Sequence, residues 1–286
     1  METPALVTQP QPIARRIVAV LDVLAVFAAT FVLIWALKLL PLDTVTRNFV
    51  SYTIMICFPL LILGIRRRDP QKYGLYFGKM RSQLDITWSV LIIALLAGAI
   101  EGWLLPMFIP KAITSWLGAI ILSIVGITFF FWGAWILRSK PTLAAALPAL
   151  LLVLPLAQAQ AAVPLPLLSF IFYLLFLGPG EEWLFRGYIQ SRLNEAFGRQ
   201  WCFWGVRFGW GLFISALMFG FMHVINGVNL FTGANVWTPW WGVWTIFGGI
   251  WKGYLREKAG SVVPGAILHG LPQAIASLGF GFFAVR

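Results

Sequence analysis

Residues 167–190 read LLSFIFYLLFLGPGEEWLFRGYIQ, an apolar run as long as a bilayer-crossing helix that nevertheless carries two adjacent glutamates and an arginine. A span needs about 17–25 mostly apolar residues. An ionisable group at the centre of such a span costs about 2.5–3.5 kcal/mol on insertion scales, so Glu181, Glu182 and Arg186 are candidates for function rather than ornament.

Outward from this stretch the chain repeats the pattern. Hydrophobic residues make up 60% and charged residues 11% of its 286 positions, against roughly 25% charged in soluble domains. Mean hydropathy is +0.85. Further apolar runs lie near 17–37, 49–65, 86–108, 116–137, 142–163, 208–226, 240–255 and 262–283. The run at 142–163 is punctuated by prolines at its edges and within it. The fold class expected is all-α, a polytopic transmembrane bundle of about eight to nine spans. It divides into residues 1–166, helices of unknown role, and residues 167–286, which carry the motifs.

The formal net charge of +11 is read as topology. Basic residues cluster before the first span, after the second and fourth, from Arg186 to Arg207, and at Lys252, Arg256 and Lys258, while the alternate loops are poor in them. That asymmetry predicts a cytoplasmic N-terminus in a plasma (inner) membrane. It also predicts attraction to anionic headgroups, and no nucleic-acid partner. The first run is read as a retained anchor because no small-residue cleavage site follows it. Trp237, Trp240, Trp241 and Trp244 read as an interfacial belt. Cys57 and Cys202 define no disulfide framework.

The chain has two histidines. Each stands four residues from a partner, as Phe219-x-x-x-His223 and His269-x-x-x-Gln273. Positions four apart share a helix face, so Phe219 can pack on His223, and Gln273 can donate hydrogen bonds beside His269. Glu182 and Arg186 have the same spacing and suit an ion pair, leaving Glu181, about 100° away around the helix, to face a polar cavity. The alternative is a charged helix end with no site role. Counted along helices from the basic loops, Glu181, His223 and His269 lie roughly 17–24 Å in, where three groups on separate helices can converge. Gly178, Pro179 and Gly180 are expected to break the glutamate helix, and Gly265, Gly270 and Pro272 to loosen the last one. Glu101 lies deep in the third run without an evident partner.

In this order the motifs EExxxR, FxxxH and HxxxQ resemble those of the CPBP intramembrane proteases, which include CAAX prenyl proteases of the Rce1 type and bacteriocin-immunity relatives. The resemblance covers roughly residues 167–280, and Gln273 stands where the family usually has Asn. It implies an intramembrane endopeptidase acting on a membrane-associated peptide or protein. Glu181 and His223 would activate water, His269 and Gln273 would stabilise the oxyanion, and Glu182, Arg186 and Phe219 would organise the site. A desolvated carboxylate suits the role of base. No cofactor is required. Zinc held by Glu181, His223 and His269 is the metal alternative. It would consume both histidines, and no H-E-x-x-H run occurs. Two non-protease readings stand beside this one: a haem held by the two histidines, and a non-hydrolytic binding or transport module that would use Glu101 and Asp22 as further acids.

Overall fold

The computed structural model describes residues 10–109, 115–138 and 165–280. Within them the chain is helical apart from two small antiparallel hairpins. Helix α1 is Ile13–Ala36, α2 Thr44–Ile65, α3 Met80–Ala99 and α4 Trp116–Ile136. Helix α5 runs without interruption through Leu165–Phe172, a π-turn at Tyr173–Leu177, Gly178–Glu182, a second π-turn at Trp183–Ile189, and Gln190–Phe197. Then come α6 Trp210–Val224, α7 Pro239–Ala259 and α8 Val263–Phe280. Strands β1 (Trp201–Phe203) and β2 (Val206–Phe208) form the hairpin between α5 and α6, and β3 (Gly227–Asn229) and β4 (Ala234–Val236) the one between α6 and α7.

Five helical segments among the described residues are long and apolar enough to cross a membrane: Ile13–Leu39, Thr44–Ile65, Met80–Ala99, Trp116–Ile136 and Leu167–Phe197. The chain is an integral membrane protein of the all-α class. Helix α6 is apolar but shorter. Helices α7 and α8 form where the last two runs were expected but are not among the five, α7 ending in the charged run Arg256-Glu257-Lys258. The run at 142–163 lies outside the described residues. Large apolar side chains such as Ile17, Leu21, Leu24, Leu117, Ile120 and Ile124 stand exposed on α1 and α4, as lipid-facing surfaces require.

Local chemistry sets the helix starts. Asp43 caps α2 by accepting from the Thr46 amide at 3.0 Å, and the Thr46 hydroxyl and amide hold its carboxyl below the usual range. Ser115 caps α4 in the same way at 3.1 Å.

The expected break at Gly178-Pro179-Gly180 does not occur, and the reason is packing. A Cβ on Gly178 would come within 2.4 Å of the Ala266 carbonyl, and one on Gly270 within 2.3 Å of the Tyr173 carbonyl. The two glycines let α5 and α8 touch backbone to backbone, a role for small residues that membrane helices commonly use. In an unbroken α-helix the Pro179 ring would press on the carbonyl of Leu175. The π-turn over Tyr173–Leu177 falls there. Pro272 likewise sits inside a continuous α8.

The first helices clamp onto α5. Asp22 of α1 accepts from Arg192 Nε at 2.8 Å and from the Tyr188 hydroxyl at 3.1 Å, and pairs with Arg66 at the end of α2. Asp22 is therefore a structural tie rather than a free transport acid. Arg192 and Arg199, counted above as loop charges, are buried and paired.

Candidate active site

Because α5 and α8 touch at Gly178 and Gly270, Glu181 and Glu182 lie directly against His269. The imidazole Nδ1 is 3.0 Å from Glu182 Oε1, and Nε2 is 3.5 Å from Glu181 Oε2. A nitrogen at that distance from a carboxylate oxygen carries the proton, so Nδ1–H donates to Glu182. Glu182 Oε1 is also 3.2 Å from Arg186 Nη1 and 3.8 Å from Lys252 Nζ. Both Glu182 and Arg186 are 0% exposed. The arginine contact is close enough for an ion pair but not aligned for a hydrogen bond, and none of the guanidinium nitrogens has a hydrogen-bond partner among the described residues.

The guanidinium stacks instead over the Phe219 ring at 4.3 Å, and the Lys252 ammonium lies 4.9 Å from the same centroid. Phe219 thereby faces two cations, each contact contributing about 0.5–2 kcal/mol, while its edge meets His223 at 4.6 Å. His223 points Nδ1 at the Phe219 carbonyl, 2.9 Å away. That nitrogen is the donor, so in the neutral ring Nε2 keeps the lone pair. Thr238 fixes the end of the His223 helix by donating to the His223 carbonyl at 2.6 Å.

Glu181 is held from the other side. Its Oε1 accepts from the Tyr52 hydroxyl of α2 at 3.1 Å, and its buried Oε2 has no hydrogen-bond donor among the described residues. Gly180 allows this approach, since a Cβ there would stand 3.2 Å from the Tyr52 ring.

A cavity of about 230 Å³ adjoins the cluster between α3, α4, α6, α7 and α8. His223, His269, Gln273, Phe219, Lys252 and Glu101 all line it. Gln273 is exposed, one turn beyond His269. Glu181 is not part of the wall: it stands beside it, against His269. The wall is also less polar than expected, with Trp241, Trp244, Trp251, Phe129 and Phe247 in it. Trp241 packs on His223 at 5.1 Å, and Trp241 and Trp244, read above as part of an interfacial belt, line this cavity. Among the described residues no group of three His, Cys, Asp or Glu side chains is placed to hold a metal ion.

Four contributors were not legible in advance. Lys252 was counted with the loop charges Arg256 and Lys258, yet its side chain is 14% exposed and turned to Glu182. Its position four residues before Arg256, between Gly248 and Gly253, was the available signal. Tyr52 is an ordinary aromatic in a long apolar run, and only the fold brings it to Glu181. Trp241 and Trp244 have the composition of a belt, and only the fold brings them to the cavity wall.

A family model described as Type II CAAX prenyl endopeptidase Rce1-like matches residues 163–275. This region is Rce1-like. The match contains all three motifs, so the resemblance read from them is shown, and it indicates a membrane peptidase of the CAAX type acting on a membrane-associated protein. No curated protein and no solved structure gives a match to the chain. Residues 1–162 lie outside the Rce1-like match, although α2 supplies Tyr52, and α3 and α4 supply walls of the cavity.

Proposed function

We propose that the chain hydrolyses a peptide bond of a membrane-associated substrate with a water activated by Glu181 and His223. One observation carries the reading: among the described residues a buried carboxylate oxygen, Glu181 Oε2, has no donor, while its partner oxygen is fixed by Tyr52. Burial without a donor costs about 1–3 kcal/mol or more for a charged acceptor. A proton-accepting oxygen left open 3.5 Å from the His269 imidazole, at the edge of the cavity that His223 lines, is what a general base requires.

In this reading the water stands at the edge of the cavity, between Glu181 Oε2 and the lone pair of His223 Nε2. Its proton passes to Glu181 as its oxygen adds to the scissile carbonyl carbon. The carbonyl oxygen becomes an oxyanion, stabilised by the Gln273 amide and by the His269 ring, which Glu182 fixes through Nδ1. The proton on Glu181 then goes to the leaving nitrogen as the C–N bond breaks, giving a carboxylic acid and an amine and returning Glu181 to its ionised form. Arg186 and Lys252 oppose the negative charge of Glu182 and keep it in place. No step uses a metal.

The test is a comparison of wild-type and Glu181→Gln membranes by proteomics of newly formed peptide termini. Termini present only with the wild type are expected, and identical sets of termini would remove the reading. For the purified protein, exhaustive chelation should leave cleavage unchanged. Activity lost to the chelator and restored by zinc would replace the metal-free route with a metal one.

A further inference from the structure

Glu101 is the charged group of the cavity that the hydrolytic scheme does not use. It follows α3 on a π-turn, Ile100–Leu104, a local widening often found at functional positions. Its side chain lines the same cavity as His223, His269 and Gln273. Among the described residues no hydrogen bond or ion pair holds its carboxylate, and the charge that reaches it is that of Lys252. Lys252 is itself committed, 3.8 Å from Glu182 Oε1 and 4.9 Å from the Phe219 centroid. Of the two acidic and basic side chains in this wall, Glu101 and Lys252, Glu101 is therefore the one without a contact of its own among the described residues.

The surroundings suit a cation. Trp241, Trp244 and Trp251 stand in the same wall, and indole faces beside a carboxylate attract positive charge from two directions. There is also room: Gly248 lines the cavity, and a methyl group added to it would meet nothing within 4 Å. An aliphatic stem ending in a cation can lie along such an aromatic wall.

We propose that Glu101 and these tryptophans form a subsite for a lysine or arginine side chain of the peptide substrate. The substrate half of this statement rests on the peptidase reading, whereas the preference for a cation does not. Glu101 lies outside the Rce1-like match, so the subsite would be this chain's own addition to the catalytic region.

The first test uses n-octylammonium as a probe of the full chain in dodecyl maltoside, with n-octanol and n-octanoate as uncharged and anionic counterparts. Comparing proteins at one probe concentration cancels partition into micelles. Octylammonium should raise the unfolding temperature of the wild type, and Glu101→Gln should weaken its apparent affinity about tenfold, the worth of one partly desolvated charge contact. Gly248→Leu fills the space without altering any charge and should abolish the shift. An equal octylammonium shift in wild type and Glu101→Gln overturns the proposal. So does a larger shift with octanoate, which would make Lys252 the ligand-facing charge.

The second test reads cleavage of a peptide library. The ratio of rates for peptides with lysine and with glutamine at one fixed distance from the scissile bond should fall about tenfold in Glu101→Gln, and glutamate should become preferred in Glu101→Lys. An unchanged ratio overturns the proposal. If the wild type cuts no peptide, the peptidase reading fails while the octylammonium result still decides the cation site. Displacement of octylammonium by phosphatidylethanolamine but not by a lysine peptide would assign the cavity to a lipid amine and also overturn the proposal.

Discussion

Two clusters of buried charge hold this molecule together, and they differ in how completely hydrogen bonds close on their carboxylates. Around Glu257, Gln190 and Asn194 donate to Oε1 at 2.7 Å each, and Arg199 donates to Oε2 at 2.7 Å. Around Glu181 and Glu182 one oxygen of each acid has no donor among the described residues, and the Arg186 guanidinium makes no hydrogen bond to them. The first cluster ties the end of α5 to α7 and leaves only the amide oxygens of Gln190 and Asn194, with Arg256 Nε, unmatched. The second is as deeply buried and contains as many cations, but leaves acceptors open beside a cavity. A charge network that serves stability satisfies its acids, whereas one that serves chemistry keeps an acceptor available.

Substitutions should separate the two clusters. The largest effect on stability is expected at Glu257, because removing one member of a buried, hydrogen-bonded ion network costs about 3–5 kcal/mol. Glu257→Ala should therefore show a lowered unfolding temperature and low yield, and thermal unfolding equal to that of the wild type would break the contrast. In the second cluster the effect should fall on rate. His269→Ala and Gln273→Ala should each slow peptide cleavage by about 10²–10³-fold, the ordinary value of one oxyanion donor, as read from kcat on the peptide identified by proteomics. A change confined to KM would move these side chains out of the transition state. The smallest effect is expected from Tyr52→Phe, which removes one hydrogen bond worth about 0.5–1.5 kcal/mol. It should lower kcat about tenfold or less with little change in unfolding temperature, and an unaltered kcat would show that Glu181 does not need this anchor.

The same contrast explains what could be read from the sequence. The spans at the start of the chain were legible because lipid-facing helices are apolar all along, and Glu181, Glu182 and Arg186 stood out because charge in such a run is costly. The pair Glu182 and Arg186 was legible from spacing, since four residues set one helix face. Tyr52, Lys252 and the tryptophans were not, because their meaning depends on contacts between helices distant in sequence. Gly178 and Gly270 were noticed but given a local meaning, loosening of the helix, when their effect is tertiary: they bring α5 against α8 and so seat His269 between the two glutamates. The first half of the chain carries no motif, yet its helices contribute the anchor of Glu181 and two walls of the cavity.

The most direct test of the account measures Glu181→Gln and Glu257→Gln side by side, each for cleavage of the same peptide and for thermal unfolding. Glu181→Gln keeps the shape of an acid whose Oε2 has no donor, so it should unfold at or above the wild-type temperature with cleavage abolished. Glu257→Gln should lose stability through its broken pairing with Arg199 and retain turnover in the fraction that folds. A Glu181→Gln protein that still cleaves, or one destabilised as much as Glu257→Gln, would contradict the assignment of the open carboxylate oxygen to chemistry.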